Sequence, residues 1–267
     1  MTLSTQKNSA AQQNLQRAAW VACIVGVSVQ ASFLFTSGTI EQTILSVVLL
    51  AGASFLWIWQ AAGLRQAVLT SAGVMAIGYL AEAIGVATGF PFGEYAYSGG
   101  LGYSLLSVSL IVPVAWLMLA YPAWRVAKIL VKGGSVKTRG LRIAVGAWAL
   151  TAWDVFLDPQ MVDAGNWGWA NPEPSLIGVP GIPLTNYAGW LLVSALIMLF
   201  LEYRATTSRT VETTIARVPV AIYLWTYLGS IVANLTFWDR PMVALVGGVL
   251  MGTIAFPLCI RLYSIYR

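Results

Sequence analysis

The sequence predicts an all-α fold, a polytopic transmembrane helix bundle of about eight spans with both termini cytoplasmic. Of 267 residues, 58% are apolar and only 9% are charged. The apolar residues gather into runs of about eighteen to twenty-two, near the ~20 that a helix needs to cross hydrocarbon. Lys and Arg separate almost completely onto alternate connections, as retention of positive charge on the cytoplasmic side requires. The whole chain, 1–267, is expected to form a single integral membrane domain.

The spans are read near 18–35, 42–62, 67–88, 104–124, 141–158, 186–203, 217–236 and 243–262. The first apolar run follows a polar segment, lacks an A-x-A-like cleavage site and is long enough to remain as a signal anchor. Lys7, Arg17, Arg65, the cluster Arg125, Lys128, Lys132, Lys137, Arg139 and Arg142, then Arg204, Arg209, Arg217, Arg261 and Arg267 fall on one set of connections and both termini. Arg240 alone falls on the other set. The basic connection between spans four and five contains Gly133-Gly134 and reads as a flexible loop. On the opposite side, Gly89 to Tyr97 links spans three and four, and a long stretch from Asp158 to Thr185 links spans five and six. Its Gly and Pro content argues against a helix, and its aromatic residues suggest a lid folded against the membrane interface, with an ordinary aromatic belt as the alternative.

Composition also excludes. A net charge of +5 is accounted for by topology and lipid headgroups, and asks for no nucleic acid. The four lysines, Lys7, Lys128, Lys132 and Lys137, are placed outside the spans, which argues against a retinal Schiff base. The absence of histidine excludes histidine-box oxygenases and histidine-based nucleophile systems. Cys23 and Cys259 sit inside spans without CxxC spacing and are taken as packing residues. No phosphate-binding glycine loop is present. A D-x-x-x-D pair also occurs in membrane prenyltransferases, but those need a second acidic cluster and basic residues for the diphosphate. No metal and no cofactor is expected.

The informative residues are acids. Asp154 and Asp158 lie four apart near the end of span five, on one helix face, at a depth where charge is costly. Glu82 lies within span three, with Gly78, Gly85 and Gly89 on its own face so that a neighbouring helix or a flat ligand can approach. By helical rise, Glu82 is about 10 Å and Asp154 about 6 Å below the outer ends of their spans, so the two can share a depth. Glu94, Tyr95 and Tyr97 before span four, Asn186 and Tyr187 opening span six, Asn234 near the end of span seven and Asp239 just past it add polar groups on the same side. A polar pocket in the outer half of the bundle is expected. Burial, mutual repulsion and the helix C-terminus together favour a proton on at least one of the acids, and a protonated carboxyl in an apolar pocket is a general acid. Asp158 equally fits a solvent-facing helix terminator, because the residue before Pro159 is pushed from helical geometry. For Asp154 and Glu82 the alternative is an interhelical hydrogen bond.

The combination of Glu82, Gly-x-x-Phe-Gly-x-Tyr-x-Tyr (Gly89 to Tyr97), Val112-Pro113, Asp154-x-x-x-Asp158-Pro159, Gly165-Asn166-Trp167-x-Trp169 and Gly181-Ile182-Pro183-x-x-Asn186-Tyr187-x-Gly189-Trp190 resembles the membrane-embedded carotenoid hydratases, which include carotenoid 1,2-hydratases and bisanhydrobacterioruberin hydratases. The resemblance covers most of the chain, with its motifs between positions 78 and 190. It implies a multi-pass protein of a prokaryotic cell (inner) membrane that takes part in carotenoid biosynthesis. The implied reaction is cofactor-independent, acid-catalysed addition of water to the terminal C1=C2 double bond of an acyclic end group. The implied partners are an acyclic or monocyclic C40 or C50 carotenoid, the lipid bilayer and other membrane enzymes of carotenoid synthesis. On this reading Asp154 delivers the proton, Asp158 or Glu82 orients and deprotonates the water, and Asn186 or Tyr187 holds it. Tyr95, Tyr97, Trp153 and Trp167 are the aromatic faces available to a cation, each worth up to ~2 kcal/mol when desolvated. A carotenoid cyclase using the same protonation without water, and a proton-coupled transporter, are the other classes the acids allow.

Overall fold

The computed structural model describes residues 3–36, 38–204 and 216–267. These residues form eight long helices and one single-turn helix, with three two-stranded ribbons in the connections. The helices are α1 (Leu3–Ala31), the short α2 (Phe33–Thr36), α3 (Ile40–Ala62), α4 (Leu64–Thr88), α5 (Ile111–Leu130), α6 (Val136–Asp163), α7 (Leu184–Arg204), α8 (Arg217–Thr236) and α9 (Pro241–Tyr266). Six of them, α3, α4, α6, α7, α8 and α9, are long and apolar enough to cross a membrane. The other two long helices differ for visible reasons. The first half of α1 is polar, and α5 ends in Arg125 and Lys128. Arg209, assigned to the basic set above, lies outside the described residues.

Helix α5 is the pillar of the bundle. Every residue from Trp116 to Ala127 is buried, and α3, α4, α6, α7, α8 and α9 all pack on it. The helices around it approach one another closely at several glycines. A Cβ on Gly146 of α6 would meet Met198 of α7 at 2.6 Å, one on Gly247 of α9 would meet Phe156 of α6 at 2.6 Å, and one on Gly73 of α4 would run into the Phe200 ring of α7.

Several boundaries differ from the sequence reading, each for a local reason. Residues 104–110 do not belong to the fourth span. They form a tight ribbon, β2 (Ser104–Leu105) against β3 (Val108–Ser109), and the helix starts at Ile111 and continues to Leu130. Apolar content cannot separate a short buried strand from a helix turn. Arg125 and Lys128 therefore lie in α5 and not in the following loop, and Lys128 is helical near the span's end. Arg142 is buried in α6, where it pairs with Glu202 of α7 and donates from Nη1 to the Gly133 carbonyl at 2.6 Å. The other Glu202 oxygen accepts the Trp124 indole N–H at 3.0 Å. Two residues counted as loop cations are thus interior ones.

Helix α6 does not stop at Asp158. It runs through Pro159 to Asp163, although a proline removes one backbone donor and crowds the preceding turn. Asp158 is 2% exposed, so the terminator reading is overturned. Beyond it, the long connection is built of β4 (Trp167–Trp169), β5 (Ser175–Leu176) and β6 (Val179–Pro183). Strand β4 pairs with β1 (Tyr95–Tyr97) from the connection between α4 and α5, in the register Tyr95↔Trp169, Ala96↔Gly168 and Tyr97↔Trp167. The two informative connections are one structure, a ribbon that caps this end of the bundle. Cys23 is buried and Cys259 exposed; both are free.

A carboxyl cluster under an aromatic ribbon

Glu82 projects from α4 toward α5 and the ribbon. Its Oε2 accepts the Tyr95 hydroxyl at 2.6 Å and the Tyr97 hydroxyl at 2.8 Å, and its Oε1 accepts the Trp116 indole N–H at 3.2 Å. Strand alternation would normally send Tyr95 and Tyr97 to the same face, and here both reach one carboxyl. Burial, and then the adjacent Glu82 carboxyl, push both phenols above their ordinary range, so both remain neutral donors at any physiological pH.

The glycines on the Glu82 face make room for these rings, one of which is carried by the neighbouring helix α5. Gly78 lies under Trp116, with a Cβ there 2.8 Å from the indole, and Gly85 lies under Phe92 and Tyr95, at 2.8 and 3.0 Å. Gly89 ends α4 with φ +78°, a left-handed cap that turns the chain into the ribbon. Gly85→Ala is expected to lift the Tyr95 hydroxyl off Glu82 and to cost about 1–3 kcal/mol through overpacking. Thermal unfolding in detergent measures this, and an unchanged melting temperature would contradict the contact.

Asp154 and Asp158 lie one turn apart on α6 and share a single partner. The Asn186 side-chain amide, in the first turn of α7, donates to Asp154 Oδ2 at 2.8 Å and also to Asp158 Oδ2. Asp158 Oδ1 accepts the Trp167 indole N–H at 3.1 Å. Asp154 Oδ1 is buried with no hydrogen-bond partner, as is the Tyr187 hydroxyl beside the pair. Trp167 thereby ties the ribbon to α6, while its ring meets Tyr97 edge-on at 5.6 Å. Trp169 stacks on Tyr95 at 5.8 Å and donates to the Phe92 carbonyl. These tryptophans face inward as a lid, not outward as a belt. Below, Trp190 stacks on Trp116 at 4.0 Å and meets Trp153 edge-on at 6.0 Å.

The acids meet a cavity of about 800 Å³. Glu82, Asp158, Asn186, Tyr95, Tyr97, Trp153 and Trp167 all line it. The wall extends past these groups to Gln30 of α1, Ile44 and Val47 of α3 and Trp225 of α8. Asp154, 0% exposed, is not part of the wall and stands behind Asp158. Two residues of the sequence reading are not brought to this point. Glu94 is exposed and only its backbone carbonyl takes part, accepting the Ala170 N–H. Asn234 is buried in α8, donates to the Ser230 carbonyl at 2.9 Å and does not line the cavity. Among the described residues, no group of three or more Cys, Asp or Glu is placed to hold a metal ion.

Trp116 was not singled out from the sequence, and Trp169 and Trp190 entered that reading only as members of motifs, with no role given. A mid-span tryptophan carries an N–H that needs an acceptor where no water is available, and that requirement is the signal that points Trp116 to the only acid of α4.

The described residues thus form an all-α bundle with membrane-length apolar helices and a carboxyl cluster at the wall of a cavity between them. A family model described as carotenoid biosynthesis protein matches residues 42–254. The chain belongs to that family. It is also similar to the bisanhydrobacterioruberin hydratase of Haloarcula japonica, 31% identical over 140 residues, which are 52% of this chain and 46% of that protein. The match thus spans less than half the length of that relative. No solved structure matches the chain.

Proposed function

We propose that this protein is a carotenoid hydratase of a prokaryotic cell membrane, spanning it eight times with both termini inside, and that it adds water to the terminal C1=C2 double bond of an acyclic carotenoid end group. The observation that carries the reading is the Asp158 carboxyl at the wall of an aromatic-lined cavity, backed by Asp154 and bridged to it by Asn186. Family membership and the similarity to a hydratase support it.

In this mechanism the Asp154–Asp158 pair holds one proton between its carboxyls. Asp158, the member at the wall, transfers it to C2 of the alkene. The C1–C2 π electrons form the new C–H bond, leaving a tertiary cation on C1. The faces of Tyr97, Trp153 and Trp167 steady that charge, and water adds to C1. Glu82, the second carboxyl at the wall, takes the proton released by the water, directly or through Tyr97, and the proton then returns to the Asp154–Asp158 pair, which restores the enzyme for the next turnover. Alkene and water are consumed, one tertiary alcohol is formed, and no electron donor or acceptor is needed. This assigns proton delivery to Asp158, with Asp154 as its partner, because Asp154 does not reach the cavity.

The test is expression in a host that accumulates lycopene, grown with heavy-oxygen water, followed by pigment extraction and mass measurement. A product one water heavier that carries the label is the expected result. An isomer of unchanged mass would replace the reading with a cyclase, in which the next double bond captures the same cation.

A further inference from the structure

Leu228 and Val232 of α8 are 57% and 50% exposed, and both also line the cavity that holds the acids. Side chains that face a cavity and the outside of the protein at once mark a mouth. Leu228 lies about 16 Å from the start of α8 at Arg217 and about 12 Å from its end at Thr236, by helical rise. The mouth therefore opens near the middle of a membrane-length apolar helix, at the depth of hydrocarbon and not of water.

The frame of the mouth is apolar. At one edge the Trp225 indole donates to Gln30 Oε1 at 2.7 Å, and α1 ends one residue further on, at Ala31. Past that contact the stripe of α8 that begins with Trp225 continues at helical spacing through Leu228, Val232 and Leu235, all of them exposed. Phe33 of α2 and Ile40, Ile44 and Val47 of α3 line the cavity from the other side. The wall then passes over Ala115 and Trp116 of α5 and Trp153 of α6 to Glu82 and Asp158. The two other charged lining residues, Asp163 and Arg240, pair with each other at the end of α6 and the start of α9.

We propose that the acyclic chain of the substrate enters end-on through this lateral mouth, between α8 and the α2–α3 turn, and that Gly229 keeps the mouth clear. Gly229 lines the cavity one residue past Leu228. A Cβ there would meet only the Trp225 ring, at 3.4 Å, an ordinary contact, with open space otherwise. The end group then reaches Asp158 and Glu82 while the rest of the chain, a rod about as long as the ~30 Å hydrocarbon layer is thick, stays in lipid. The inference rests on the carotenoid reading of the cavity and holds for hydration and cyclisation alike.

The test is the lycopene retained by the full chain, per folded protein, after purification in mild detergent from a host that accumulates it. The parent is Asp158→Asn, so that bound substrate is not consumed. Adding Gly229→Trp, which plugs the mouth, is expected to lower retention by about tenfold, whereas Gly229→Ala should leave it near the parent. Leu80→Trp places the same ring on an exposed position of α4 outside the cavity and should also leave it unchanged. Melting temperatures establish folding, and Gly229→Leu takes the place of Gly229→Trp if that variant does not fold. Equal retention in Gly229→Trp and Leu80→Trp, or no pigment in the parent, would overturn the proposal. The hydratase reading fails separately: a wild-type chain that retains lycopene but forms no product one water heavier would remove that reading and leave the mouth in place.

Discussion

Asp158→Asn is expected to reduce turnover by about 10²–10⁴-fold, the range that a positioned general acid contributes, while leaving the fold intact. The amide keeps the shape of the carboxyl and can still accept the Trp167 indole N–H, but it has no acidic proton to transfer. Asp154→Asn is expected to slow turnover less, because Asp154 stands behind the wall and acts through its partner. Product accumulation in the lycopene host, normalised to the amount of folded protein, measures both. The ordering tests the assignment. A folded Asp158→Asn protein that hydrates at the normal rate would remove Asp158 from the reaction. Loss only in Asp154→Asn would return proton delivery to Asp154.

Glu82→Leu is expected to damage stability more than any other single change at the site. It withdraws the acceptor of Tyr95, Tyr97 and Trp116 together, and each buried donor left unpaired costs roughly 1–3 kcal/mol. The losses are not additive, and a total on the order of 4 kcal/mol is expected. For a chain of this size that corresponds to a melting point lower by about 10 °C. Glu82→Gln, which keeps one acceptor oxygen, should lose about half as much. Because Tyr95 and Tyr97 sit on the strand paired with Trp167 and Trp169, the ribbon should loosen first. Hydrogen exchange of residues 95–97 and 167–169 would show this. Protection unchanged in Glu82→Leu would mean that the strand pairing and the Trp167–Asp158 contact hold the ribbon without Glu82.

Most long helices were legible because a membrane span leaves an apolar run that no loop imitates. The failures are equally physical. Residues 104–110 read as helix because their apolar content suits either a strand or a helix turn, and a tight hairpin decided between them. Asp158 was ambiguous because the residue before a proline commonly leaves the helix. Here α6 continues through Pro159, with Asn186 and Trp167 holding the carboxyl inside. Arg125 and Arg142 read as loop cations because charge in sequence signals a side of the membrane and carries no measure of depth.

The sequence by itself determined that the chain is a bundle of apolar helices, that Glu82, Asp154 and Asp158 are its unusual interior acids, and that two aromatic connections lie at the same end. Those conclusions rest on the length of apolar runs, on the side of the membrane that positive charge keeps to and on the cost of charge in hydrocarbon, all readable along the chain without its fold. Tertiary structure alone decided that the two connections pair as one ribbon, that Trp116 and both tyrosines converge on Glu82, that Asp158 and not Asp154 forms the cavity wall, and that Glu94 and Asn234 stay apart from it. Each of these depends on contacts between segments far apart in the chain, where strand register, helix rotation and a glycine under a ring set which side chains meet. Local sequence carries no record of that geometry.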